Sequence, residues 1–169
     1  MRNKWGLVSY FMHNREYFLK ELQQIKKLGF DGAEIIDPRK FTLSLSEIRM
    51  GFKDNGLSLL QIHLDYCNMA DPDPGERSKA VDWYKKRVEY ALKLEAEELL
   101  FHVGGQNMFF MTGEEMKEAA QRNIECPREI VKETRETGLR ISLENGGGVK
   151  YHQCPHARKT LDAAGKRTG

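Results

Sequence analysis

Four ionisable side chains hold equivalent places in the 169-residue sequence: Glu34, His63, His102 and Glu144 each stand near the carboxyl end of a short apolar stretch. Carboxylates and imidazoles are the donors from which divalent-metal sites and proton-transfer sites are made. Glu144 stands out. In ISLENGGG (141–148), Ile141 and Leu143 alternate with Ser142 and Glu144, and three glycines follow one residue later. Such glycines leave room beside a carboxylate and permit backbone angles that other residues resist. The plainer alternative is a glycine-rich loop, but three further residues in register favour chemistry. His63, His102 and Glu144 also make a two-histidine, one-carboxylate set fit for zinc or iron. The alternative for each histidine is an imidazole merely hydrogen-bonded near the site.

The elements that must position these groups follow from apolar periodicity, which switches repeatedly between two and about 3.6 residues. Strands are expected near 5–12, 30–36, 57–64, 98–103 and 139–144. Between them, Asn14 reads as an N-cap for a helix with Phe18, Leu22, Ile25 and Leu28 on one face. Leu45, Ile48 and Phe52 mark a short helix closed at Gly56. Ser78 is the expected cap of a long helix with Val81, Tyr84, Val88, Ala91 and Leu92 on one side. Thr112 and Glu115 form a capping-box pattern. Pro127 is expected to kink or break the helix that follows, near Cys126. Glycines stop the helices before strands two, three and five (KKLGF, KDNGL, RETGL), with Ala96 in the comparable place before strand four. Residues 156–165 are compatible with a last short helix. Alternating units of this kind imply a parallel sheet covered by helices.

Side chains alternate across a strand, so parity sorts the faces. Leu139, Ile141 and Leu143 oppose Arg140, Ser142 and Glu144. Leu99, Phe101 and Val103 oppose Leu100 and His102. Leu60, Ile62 and Leu64 oppose Leu59, Gln61 and His63, while Ala33 and Ile35 oppose Gly32 and Glu34. An open sheet covered on both sides would be apolar on both. One apolar face, with ionisable groups at the carboxyl ends of the other, is the pattern of a (β/α) barrel, whose reactive groups gather at that rim. The expectation is an α/β fold of TIM-barrel type, a single partial domain over 1–169.

Composition narrows the function classes. The formal net charge of +2 argues against a protein that coats nucleic acid. No run of about 18 apolar residues suggests a membrane span. The amino-terminal segment reads as a first strand rather than a signal peptide. Three scattered cysteines (Cys67, Cys126, Cys154) suit free thiols in a reducing compartment. A cytoplasmic enzyme is the expectation.

In order and spacing, LGFDGAEI, LQIHLD, FHVGG and ISLENGGG resemble strands two to five of the xylose isomerase-like TIM barrels. That superfamily holds sugar and sugar-phosphate isomerases and epimerases, and the endonuclease IV type of apurinic-site (AP) nuclease. The resemblance implies a divalent-metal ligand at Glu144, which in the epimerases also moves protons. His63 and His102 correspond to zinc ligands in the nucleases and to substrate-contacting residues in the isomerases, and Glu34 to a pocket or supporting residue. Manganese, magnesium, cobalt or zinc is the implied cofactor, and a sugar or sugar phosphate the implied substrate. The reaction would be proton transfer through an enediolate. An AP endonuclease, or a truncated and inactive barrel, is the alternative.

A full barrel needs roughly 250 residues. This chain stops after the fifth strand and room for one helix, whereas the family's remaining ligands and second catalytic glutamate come from strands six to eight. Either the chain belongs to a larger enzyme or another copy completes it. An unpaired sheet edge then predicts self-association or poor solubility alone. Trp5, Tyr10 and His13 are candidates to line the mouth near strand one, with Tyr10 assigned to substrate binding. Phe109, Phe110 and Met111 could wall a sugar or contact another subunit. HQCPH (152–156) is metal-capable by residue type, but its spacing fits no closed zinc site.

Overall fold

The computed structural model describes residues 4–9, 14–40, 42–102 and 112–144. In chain order it forms β1 (Gly6–Ser9), α1 (Arg15–Lys27), β2 (Gly32–Ile36), a 3-10 turn (Pro38–Lys40), α2 (Leu45–Asp54), β3 (Ser58–His63), α3 (Pro74–Lys93), β4 (Glu98–His102), α4 (Gly113–Thr134) and β5 (Arg140–Glu144). The strands run β1-β2-β3-β4-β5 in one sheet, and the first three pairs are parallel. A rung recurs where the strands begin: Asp31 N donates to Trp5 O (2.8 Å), Ser58 N to Asp31 O (2.9 Å) and Arg140 N to Glu97 O (3.1 Å). A strand order that never reverses is that of a barrel wall. A doubly wound sheet reverses instead. The fold is therefore α/β of TIM-barrel type: five parallel strands of a partial barrel, as the parity of the sequence implied. Among the described residues no helix is long and apolar enough to cross a membrane.

The chain divides into two compact units: Met1–Asp65 with Val88–Leu100 and Thr137–Arg140, and Tyr66–Arg87 with Phe101–Glu136 and Ile141–Gly169. In the first, the helix-facing side of the sheet buries Ala33, Ile35, Leu59, Ile62, Leu64 and Leu99, while α1 and α2 bury Phe18, Leu22, Ile25, Ile48 and Phe52. Gly51 brings α2 close to α1: a Cβ there would lie 2.6 Å from the Phe18 ring. In the second, α3, α4 and the segment after β3 bury Tyr84, Phe101, Met69, Ala119 and Ile130. Lys85 on α3 bridges Glu129 (2.7 Å) and Glu133 (2.9 Å) on α4, and these two carboxylates hold its ammonium well above the usual lysine range.

Local chemistry explains where the structure departs from the sequence reading. Helix α3 starts at Pro74 rather than at Ser78. Asp73 accepts from Gly75 N (2.7 Å) and Glu76 N (3.0 Å), and proline fits the first helical position. Helix α4 runs through Pro127 without a break. Before β4 it is Glu95, not Ala96, that takes the left-handed position held elsewhere by glycine, with φ of 58°. Leu28 and Leu92, expected on buried helical faces, are exposed. Asn14 does cap α1, accepting from Glu16 N at 2.8 Å, and both Ser44–Glu47 and Thr112–Glu115 form full capping boxes.

The parity expected for β3 is corrected by a bulge. Ala33 pairs with Leu59 but Glu34 pairs with Gln61, so Leu60 is the extra residue. Leu59 therefore turns to the helices and is buried. Leu60 lies on the opposite face across Gly6 and Gly32, where an added Cβ would come within 2.5 Å and 2.8 Å of its side chain.

Candidate functional site

The face away from the helices carries polar groups near the amino ends of its strands as well as near their carboxyl ends. Near its amino end, Gln61 donates to Glu98, Arg140 Nε donates to the other Glu98 oxygen at 3.2 Å, and Lys4 pairs with Glu97. Lys4 precedes β1 and Glu97 precedes β4. A cavity of about 570 Å³ lies against this face, lined by Gly6, Val8, Glu34, Leu60, Gln61 and Glu98 among others.

Towards the carboxyl ends, two carboxylate–imidazole pairs form. In the first unit Glu34 Oε1 lies 2.8 Å from His63 Nδ1, both side chains part-buried. The β3 bulge favours this contact, because it sets Glu34 opposite Gln61 and brings His63, two residues on, opposite Ile36 rather than Asp37. In the second unit Glu144 Oε2 lies 3.3 Å from His102 Nδ1, with the His102 side chain only 9% exposed. Tyr66, three residues beyond His63, stacks on the His102 ring with centroids 4.0 Å apart and planes inclined by 18°. Burial pushes the Tyr66 phenol above its ordinary value, and the Glu144 charge adds to the effect.

His63 is the last residue of β3, in the first unit; His102 and Glu144 are the last residues of β4 and β5, in the second. The donor chemistry fits a divalent cation. The His63 imidazole, whose Nδ1 faces Glu34, is held in the orientation that offers Nε2 as a ligand; beside His102, Glu144 supplies an anionic oxygen. Glu34, expected as a pocket or supporting residue, lines the cavity and is paired with His63. Trp5 lies before β1, at the end away from the carboxyl rim, and does not line the mouth. Tyr10, His13, Phe109, Phe110, Met111, the Gly146–Gly148 run and HQCPH lie outside the described residues. Tyr66 was missed from sequence. An aromatic residue in a strand-to-helix loop is commonplace, and nothing in its spacing announces a stack on a residue 36 positions later.

Residues 22–168 match the family model described as xylose isomerase-like TIM barrel. Over 110 residues the chain is 27% identical to a probable endonuclease 4 of Acholeplasma laidlawii (strain PG-8A), covering 63% of this chain and 36% of that protein. Two solved structures share the fold. D-allulose 3-epimerase from Methylomonas sp., in complex with D-allulose, superposes with a TM-score of 0.77 at 15% identity, over 96% of this chain and 59% of the other. The AP endonuclease, family 2, from Brucella melitensis gives 0.69 at 18% identity, over 97% and 66%. The chain thus spans about a third of the curated relative and under two thirds of each solved one.

Proposed function

Because the chain belongs to the xylose isomerase-like TIM-barrel family, we propose that it carries the Glu144 side of a divalent-metal-assisted sugar isomerase or epimerase site. The observation that carries this reading is the Glu144–His102 pair: a carboxylate held against a buried imidazole at the carboxyl ends of adjacent strands. Glu144, His102 and His63 are the proposed ligands; manganese, magnesium, cobalt or zinc would suit them. A bound divalent ion would polarise the carbonyl and adjacent hydroxyl of a ketose or aldose and so acidify the neighbouring C–H. Glu144 takes that proton as base and returns it. Return by Glu144 to the neighbouring carbon isomerises the sugar; epimerisation needs a proton delivered to the opposite face by a second acid across the substrate, which none of these residues supplies. Glu34 orients His63 through Nδ1, and His102 is held between Tyr66 and Glu144.

The test is turnover of ketoses and their phosphates with added Mn²⁺ or Co²⁺. Turnover that disappears in Glu144→Gln supports the reading; wild-type protein with no turnover on any of them, in sound fold, counts against it. A second reading, an AP endonuclease, rests on the 27% identity to the probable endonuclease 4. Against it stands the near-balanced charge of +2, since a groove for the phosphate backbone is strongly basic. Cleavage of abasic DNA in the same assay would favour it. Self-association is also proposed, because β1 exposes Leu7 and Val8; a monomer at all concentrations in light scattering would refute it.

A further inference from the structure

We propose that Tyr66 is a positioning residue for His102, fixing the plane in which that imidazole is presented to a divalent cation. The inference rests on the metal reading above for its purpose, but not for its geometry. His102 is 7% exposed overall, whereas Tyr66 keeps 37% of its surface. The tyrosine ring therefore covers the imidazole on one side and meets solvent on another. Centroids at 4.0 Å with planes 18° from parallel leave the imidazole little freedom to rotate about its Cβ–Cγ bond. Glu144 approaches the same ring at Nδ1, 3.3 Å away. One contact sets the plane and the other sets which nitrogen faces the carboxylate. Together they fix both rotational choices of a histidine side chain, which a strand end alone would leave open. Behind it, Tyr84 on α3 reaches towards the His102 and Cys67 carbonyls at 3.5 Å and 3.4 Å and tilts against Phe101. The backbone on either side of the stack is thereby tied to the same buried ring.

This role differs from a substrate contact. It depends on the aromatic face, so phenylalanine should serve and an aliphatic residue of similar bulk should not. Tyr66→Phe and Tyr66→Leu are compared with the wild type by the His102 imidazole proton resonances without metal, by thermal unfolding, and by Co²⁺ titration. Expected are upfield-shifted His102 ring protons in wild type and Tyr66→Phe, moved downfield in Tyr66→Leu with the melting transition retained. Co²⁺ affinity should hold within about twofold in Tyr66→Phe and fall roughly three- to tenfold in Tyr66→Leu. The imidazole resonances decide the positioning role in every case: His102 protons unchanged in Tyr66→Leu overturn it. Equal Co²⁺ affinity in Tyr66→Leu overturns its purpose. Wild type that takes up no Co²⁺ while the resonances shift as expected sinks the metal reading and leaves the stack standing, so the two failures are distinct.

Discussion

Gly32 and Gly6 carry a test of how the face away from the helices is built. A Cβ added to Gly32 would overlap the Ser58 carbonyl oxygen and stand 2.8 Å from Leu60 Cγ. The first obstacle is backbone of the paired strand, so β2 and β3 must part to make room. A Cβ on Gly6 would meet Leu60 Cδ1 at 2.5 Å and the Gly32 carbonyl at 3.0 Å, and a leucine methyl can swing aside. Overpacking costs roughly 1–3 kcal/mol, more where the neighbour is rigid; alanine recovers about 0.5 kcal/mol of the strand penalty of glycine. Gly32→Ala should therefore lose about 3 kcal/mol and Gly6→Ala about 1 kcal/mol. Removing the side chain separates the two cases. Leu60→Ala should relieve most of the Gly6→Ala loss in a double-mutant cycle and little of the Gly32→Ala loss. Urea unfolding followed by circular dichroism, with midpoints compared at constant slope, measures each term. A Gly32→Ala midpoint equal to wild type, or one fully restored by Leu60→Ala, would refute the bulge geometry that also sets Glu34 beside His63.

Three other outcomes are expected. Glu95→Gly should raise stability by about 0.5–1 kcal/mol, because glycine occupies the left-handed region without strain and an exposed pair with Arg49 is worth little; thermal unfolding measures it. Burial pushes the Cys126 thiol up, so iodoacetamide should modify Cys67 first and reach Cys126 only above the usual thiol range. The same shift makes the buried thiol's contribution to stability complete below the ordinary thiol value and lost as pH rises through the raised one. Glu34→Gln should weaken Co²⁺ binding roughly 10–100-fold by loosening His63, read by the visible absorption of bound cobalt; unchanged affinity would dissociate Glu34 from the site.

How much was legible depended on the signal. Alternation placed all five strands because a half-buried strand must alternate, and Asn14 and Thr112 marked helix starts through their own hydrogen bonds; Ser44 caps α2 in the same way, but the sequence reading does not single it out. Asp73-Pro74 is as strong a start signal as any of these, and it, not Ser78, begins α3. The Leu60 bulge was invisible, since strict parity fits LSLLQIHL (57–64) equally well and only pairing with β2 breaks the tie. Glu95 took a glycine position because the chain must turn there whatever residue it holds. At the candidate site, strand parity singled out Glu34, His63, His102 and Glu144, and the last three close their strands. The partner of each imidazole depended on register, and Tyr66 on a loop path that periodicity does not encode.

The most direct measurement is a calorimetric titration of the protein with Mn²⁺, Co²⁺ and Zn²⁺, repeated on Glu144→Gln with the fold checked by circular dichroism. Stoichiometric binding of one ion by the wild type, lost or weakened at least tenfold in the variant, is the expected result. No binding of any of the three ions, or binding indifferent to Glu144, would contradict the assignment of Glu144 as ligand and base.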